Sequence, residues 1–441
     1  MDRVKMLRSD ESGFAYEMEN QPFSPDIYYD SPCVDVDQAK VSHKILGFGA
    51  SFTDAACYMF QKVDPERRRA LFQDLFSEDG LNLSIGRLNI GASDYSTKVY
   101  SYHDKEDPEL KDFTIDHDKK YIIPIVKEAQ AIRPDLFLFS SPWSPPGWMK
   151  TGGSMCGGYM RAKYLPVFAD YLVKYLQAYQ EAGIHIDAMT MQNEPDTDQR
   201  GCMPQSQLHP DFEMELVGHL LPSRLKAAGL DTKMWLYDHN YQGWKRVLYM
   251  LSDPEVAANV DAVAWHPYDG FPTMMNPIRE RYPDLAFQLT EKGPNYKKNS
   301  AESHLLWWSR TITGALNNGC SSFVGWNYAL DENGSPNLGN FKCAGLVEVH
   351  SRTGEITPSI QYHAFKHYAP YLKRGAEILS CPMNFPQEPM VDCLLARNPD
   401  GSVVAVVGNG ADKFSSIQFK YKGEYLKIYL PEQTMTTIIL G

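Results

Sequence analysis

The sequence has no CxxC pair, no basic run and no long apolar stretch, and each absence removes a class of function. Its eight cysteines (Cys33, Cys57, Cys156, Cys202, Cys320, Cys343, Cys381 and Cys393) are spread singly. Without paired spacing they form neither a zinc cluster nor a dense disulfide framework. The expectation is free, buried thiols in a reducing cytoplasm. A net charge of −12 with no cluster of Lys and Arg excludes a phosphate-gripping surface for nucleic acid. No run reaches the roughly 18 apolar residues of a spanning helix, so no integral membrane segment is expected. The opening "MDRVKMLRSDESGFAY" lacks the apolar core of a signal peptide. Also missing are a glycine-rich dinucleotide fingerprint, an early HxH pair, internal repeats and low-complexity linkers. No cofactor and no metal is expected.

What is present is a chain of 441 residues, enough for one large domain and a small one, with 26 Tyr and 8 Trp. Aromatic faces suit sugar rings and equally fill cores. From about residue 46 to 330, short apolar segments alternate with helical patterns: "GFGASFT", "LNLSIGRLNI", "DLFLFSS", "IDAMTMQ", "KMWLYD", "VDAVAWH", "DLAFQLT" and "SSFVGWN". Continuous apolar runs of this length are expected of parallel strands buried on both faces. In the clearest helix, Tyr164, Leu165, Phe168, Tyr171, Leu172, Tyr175 and Leu176 share one stripe, with Gly183 as the stop. Eight such repeats predict an α/β fold, a (β/α)8 TIM barrel, over 46–370. The C-terminal part, 371–441, reads as short strands with a "NPDG" hairpin turn at 398–401. Residues 1–45 hold strand-like pieces expected to join it in a small β-sandwich.

The C-terminal ends of barrel strands form the reacting face. Here the second strand runs from Arg87 toward Asp94, and the third into Trp143. The fourth delivers Asn193-Glu194, and the sixth ends in His266-Pro267-Tyr268. The seventh ends in Thr290-Glu291 and the eighth in Trp326. Carboxyls on strands four and seven can converge across the mouth. Two facing carboxyls are what glycoside hydrolysis needs: one protonates the leaving oxygen, and the other attacks the anomeric carbon or activates water. Tyr268 can donate to the attacking carboxylate, and Asn193 can bind a sugar 2-hydroxyl. Arg87, inside an apolar strand, needs a partner. A metal-dependent hydrolase built on Asp238, His239 and His266, and an inactive sugar-binding barrel, are the competing readings.

The segments "GFGASFTDAA", "RLNIGASDYS", "SSPWSPPGWMKT", "QNEP", "TE" and "GWNYALDENGSPN", in this order, resemble glycoside hydrolase family 30, in particular its glucosylceramidase (acid β-glucosidase) branch. The resemblance implies a barrel with a β-sandwich made from both chain ends. It implies Glu194 as acid/base, Glu291 as nucleophile and Asn193 as the 2-hydroxyl ligand, with Tyr268 hydrogen-bonded to the nucleophile. Asp94 and Trp143 match positions holding distal hydroxyls, Arg87 a supporting arginine, and Trp326 an aromatic wall; His266 falls in the substrate-binding set. As acid, Glu194 is expected to have a raised pKa, helped by the Glu291 charge. The implied substrate is a β-glucoside end group, a carbohydrate or glycolipid. An endo β-1,6-glucanase or β-xylosidase is the alternative. The chain departs from the branch at His266-Pro267-Tyr268, at Lys292-Gly293-Pro294-Asn295 and in a short 152–160 loop. The Lys292 ammonium either acts on Glu291 or substrate, or points to solvent.

Overall fold

A computed structural model describes residues 4–13, 15–18, 22–198, 203–294, 300–380, 383–384 and 391–441. Eight parallel strands close on themselves: Gly47–Ser51, Ile85–Ile90, Phe137–Pro142, Ala188–Thr190, Lys233–Asn240, Ala262–His266, Ala286–Lys292 and Cys320–Leu330. Each pairs with the next in sequence, and the seventh and first both flank the eighth. This is the expected TIM barrel. Every residue of the second strand is buried, because side chains fill the inside while helices cover the outside.

Inward-facing residues recur with a period of two. A lower layer of Ile85, Phe139, Ala188, Trp235, Ala264 and Val324 is apolar and plugs the barrel. Two residues further along the same strands come Arg87, Ser141, Thr190, His266 and Trp326. A polar floor therefore lies over an apolar plug, and the reacting face is built on it.

The helix Leu165–Glu181 buries the stripe read from the sequence, and Gly183 beyond it takes φ +80°. The helix Leu305–Asn317 packs between the barrel and a second layer. That layer is a β-sandwich. One sheet runs Ala15–Met18, Lys5–Asp10, Thr434–Ile439, Val403–Asn409, Val391–Arg397, Glu377–Ser380, Lys40–Lys44, all antiparallel. The other contains Cys33–Asp35, Ser415–Tyr421 and Glu424–Leu430. Val34, Ala405, Val407, Ile417, Phe419 and Ile438 fill the space between them. Lys5–Asp10 pairs along its whole length with Thr434–Ile439, so the two chain ends share one sheet. His367 ties this sheet to the barrel, with Nε2 at 2.8 Å from Ser9 Oγ and Nδ1 at 2.9 Å from Thr437 Oγ1. Of the cysteines, Cys57, Cys320 and Cys393 are buried, Cys33, Cys156 and Cys343 are only partly so, against the expectation of buried thiols throughout, and Cys202 and Cys381 lie outside the described residues. No helix among the described residues is long and apolar enough to cross a membrane.

Candidate active site

The fourth strand pairs only over Ala188–Thr190 and then leaves the barrel wall. Asn193 N–H donates to Pro142 O at 2.8 Å, and Glu194 N–H to Asp238 O at 3.0 Å. Glu194 adopts φ +48°, an uncommon left-handed conformation for a residue with a side chain. On the seventh strand, pairing with the eighth shifts register between Leu289 and Lys292, where Glu291 turns toward the mouth. One side-chain atom from each of Glu194, His266 and Glu291 lies within 4.8 Å of the other two. The two carboxyls therefore face each other at short range.

Glu291 accepts from Arg87 Nη1 at 2.5 Å and from Tyr268 Oη at 2.9 Å. Arg87 is fully buried and also donates from Nη2 to Asn193 Oδ1 and Asp238 Oδ2, both at 2.8 Å. Its guanidinium lies under Trp143, 4.7 Å from the ring centre, and Trp326, 5.5 Å away. The two indoles stack at 4.9 Å and 13°. Arg87 thus joins Glu291, Asn193 and the two indoles from below.

Asp238, which the sequence suggests only as a metal ligand, is the hub of the floor. Besides Arg87 it accepts from Ser141 Oγ (2.7 Å), Thr190 Oγ1 (2.8 Å) and Thr290 Oγ1 (2.6 Å), and it meets His266 Nε2 at 3.0 Å. Its only early signal is a carboxylate closing the apolar run "KMWLYD". His266 uses Nδ1 on Glu194 Oε1, also at 3.0 Å. Both ring nitrogens are spent and the ring is fully buried, so His266 lies behind the cavity rather than in it. The donors on Asp238 and the guanidinium against Glu291 make this a poor cation site. The metal reading built on Asp238, His239 and His266 therefore does not fit the donor set.

A cavity of about 760 Å³ opens above this floor. Asp94, Trp143, Asn193, Glu194, Tyr268, Glu291 and Trp326, all singled out in the sequence, line it. Asn340, Phe341, Lys342 and Cys343 from the loop after the eighth strand also line it, as do Thr197, Gln205 and His239 beside Glu194. Lys292 is buried, not solvated. Its Nζ sits over the rings of Tyr268 (4.3 Å) and Trp307 (4.9 Å) and 3.6 Å from Glu302. Asn295 lies outside the described residues.

Burial works against charge on His266, yet Glu291, Asp238 and Glu194 around it push its pKa up to about 9. Burial opposes ionisation of Asp238 too, but Arg87 and His266 hold it far below the ordinary carboxylate range. Burial also raises Glu194, and the hydrogen bond from His266 with the nearby His239 outweighs it, leaving Glu194 below its ordinary value. Glu291 stands above its ordinary value through burial and the Glu194 charge, against the pull of His266 and Arg87. This corrects the expectation of a raised Glu194: the proton is kept on His266, one hydrogen bond away. Asp94 is pushed well up by burial and by Glu291 and Glu194.

Two close carboxyls at the C-terminal mouth of a TIM barrel, one on a guanidinium and a phenol, under paired indoles, define a glycoside hydrolase. The profile of the glycosyl hydrolase family 30 TIM-barrel domain matches residues 45–370, and the chain belongs to that family. It is 32% identical over 384 residues to an endo-1,6-β-D-glucanase of Neurospora crassa, covering 83% of this chain and 78% of that protein. It is also 32% identical over 391 residues to a putative glucosylceramidase of Caenorhabditis elegans, covering 83% and 74%. A solved endo-β1,6-glucanase superposes with a TM-score of 0.88 at 27% identity, covering 99% of this chain and 98% of that one.

Proposed function

We propose that this chain hydrolyses β-1,6-linked glucans with retention, through a covalent glycosyl-enzyme on Glu291. This puts the endo-glucanase alternative ahead of the glucosylceramidase-like exo reading of the sequence. The observation that carries retention is the separation: an oxygen of Glu194 lies within 4.8 Å of an oxygen of Glu291, in line with the roughly 5 Å gap of direct attack rather than the about 6.5–9.5 Å gap of an inverting pair. Glu291 attacks the anomeric carbon while Arg87 and Tyr268 hold its two oxygens in line. Glu194 takes a proton from His266 across their 3.0 Å hydrogen bond, passes it to the departing oxygen and is left as the carboxylate; the proton it gains in the second step returns to His266 by the same bond. In the second step Glu194 takes a proton from water, which attacks the glycosyl ester and frees Glu291. Asn193 and Asp94 hold ring hydroxyls, with Trp143 and Trp326 as the wall.

The leaving-group preference follows from the flank of Glu194. Thr197, Gln205 and His239 line the cavity there, and polar groups of this kind suit the hydroxyls of a second sugar better than alkyl chains. The relatives named as endo-1,6-glucanases support the same choice. The test is a substrate panel: β-1,6-glucan oligomers, glucosylceramide in mixed micelles, and aryl β-glucoside and β-xyloside. The expected result is cleavage of the oligomers with kcat/KM at least about tenfold above glucosylceramide. Preference for glucosylceramide overturns the proposal in favour of a lipid leaving group, and preference for the xyloside overturns the glucose assignment.

A further inference from the structure

Three residues with side chains hold left-handed backbone at the site: Glu194 (φ +48°), Tyr237 (φ +81°) and Asp238 (φ +61°). Such backbone persists only where its surroundings fix it. Two residues that line no part of the cavity are placed to do so. Glu213 is buried, and its Oε1 accepts the Tyr237 N–H at 2.6 Å, at the first of the two strained positions on the fifth strand. Its Oε2 accepts from Arg246 Nη2 at 2.8 Å. Arg246 reaches on to Asp196 Oδ1 at 2.6 Å, two residues beyond Glu194, and to Leu208 O at 2.8 Å. The strained fifth strand in turn gives Asp238 O to the Glu194 N–H. The turn carrying Glu194 is therefore gripped from both sides by one chain of charged contacts.

We infer that Arg246 and Glu213 are positioning residues for the acid/base carboxyl: they fix the Glu194 turn against the strained end of the fifth strand through Asp196 and the Tyr237 N–H. This rests on the reading of Glu194 as acid/base. The ion pair is deep enough to act as a rigid strut, since a buried pair with further hydrogen bonds resists breaking far more than a surface one. Its removal leaves Arg87, Glu291 and the Trp143–Trp326 wall in contact with one another, so nucleophilic attack keeps its geometry while protonation of the leaving group loses it.

That asymmetry makes the inference testable by leaving group. kcat/KM is measured for wild type, Arg246→Met, Arg246→Lys, Glu213→Gln and Asp196→Asn on two substrates. One is an alkyl β-glucoside, which needs protonation to leave; the other is a dinitrophenyl β-glucoside, which does not. Arg246→Met is expected to lose about 100-fold on the alkyl glucoside and to stay within about threefold on the dinitrophenyl glucoside. Any loss of its kcat on the latter should be restored by azide, which needs no general base, and Arg246→Lys should regain part of the loss on the former. Equal loss on both substrates in soluble, folded variants overturns the inference. Should Arg246→Met not fold, Asp196→Asn decides, because it leaves the Arg246–Glu213 pair intact and alters a half-exposed partner. A selective loss there supports the strut, and no selectivity overturns it. Glu194→Gln is the control. If it shows no leaving-group selectivity, the acid/base assignment itself has failed, separately from the inference.

Discussion

A fully buried guanidinium is costly unless both its charge and its N–H groups are met. Arg87 meets that demand through its two terminal nitrogens, with Glu291, Asp238, Asn193 and Ser141, while its buried Nε has no partner among the described residues, and the same contacts orient the Glu291 carboxyl. Its need for a partner is legible in the sequence, since an arginine inside an apolar strand must either meet a counter-charge or reach water. Asp238 is not legible as that partner, because one acid at a strand end looks like any helix cap until the barrel closes. His266 reads as a substrate ligand from its position at a strand end; only the folded chain engages both of its nitrogens. Its titration has a measurable sign. The folded pKa of about 9 lies above the ordinary 6.5. The stabilisation from charged His266 is therefore complete below about pH 6.5 and lost as pH rises through about 9. Urea unfolding of wild type and His266→Asn should differ by on the order of 1–3 kcal/mol more at pH 6 than at pH 9.5. A difference that is flat or grows with pH contradicts the charged imidazole.

At the scale of elements, the barrel strands are readable because burial on both faces leaves nearly unbroken apolar runs. The short strands Cys156–Tyr159 and Gln205–Gln207, which pair with each other, are not. They are polar or glycine-rich and carry no periodicity, so pairing alone defines them. The fourth strand reads as seven residues and pairs over three, because it must leave the wall early to present Asn193 and Glu194. Close strand approach also accounts for a glycine. A Cβ on Gly49 would lie 1.9 Å from Ile85 O across the first and second strands. Gly49→Ala is expected to lower the unfolding free energy by at least about 2 kcal/mol, with some loss of activity, because Ile85 and Arg87 share the displaced strand. A wild-type urea midpoint would contradict this packing.

For the whole molecule, sequence and structure agree on a barrel carrying a sandwich sewn from both chain ends. That is legible because strand-like segments flank the barrel pattern on each side. The leaving group is less legible. The part of the cavity proposed to hold it is lined by Thr197, Gln205, Lys292 and Phe341, whose side chains meet only in the folded chain. The proposed reaction stands on Glu291 forming a bond to sugar. The most direct test treats the protein with a β-glucosyl fluoride carrying a second fluorine next to the anomeric carbon, which slows release of the glycosyl-enzyme, and then maps the adduct by peptide mass spectrometry. A single glucosyl label on Glu291, with activity lost in step with labelling, is the predicted result. A label on Glu194, or inactivation without any covalent sugar in an enzyme that turns over glucosides, would contradict it.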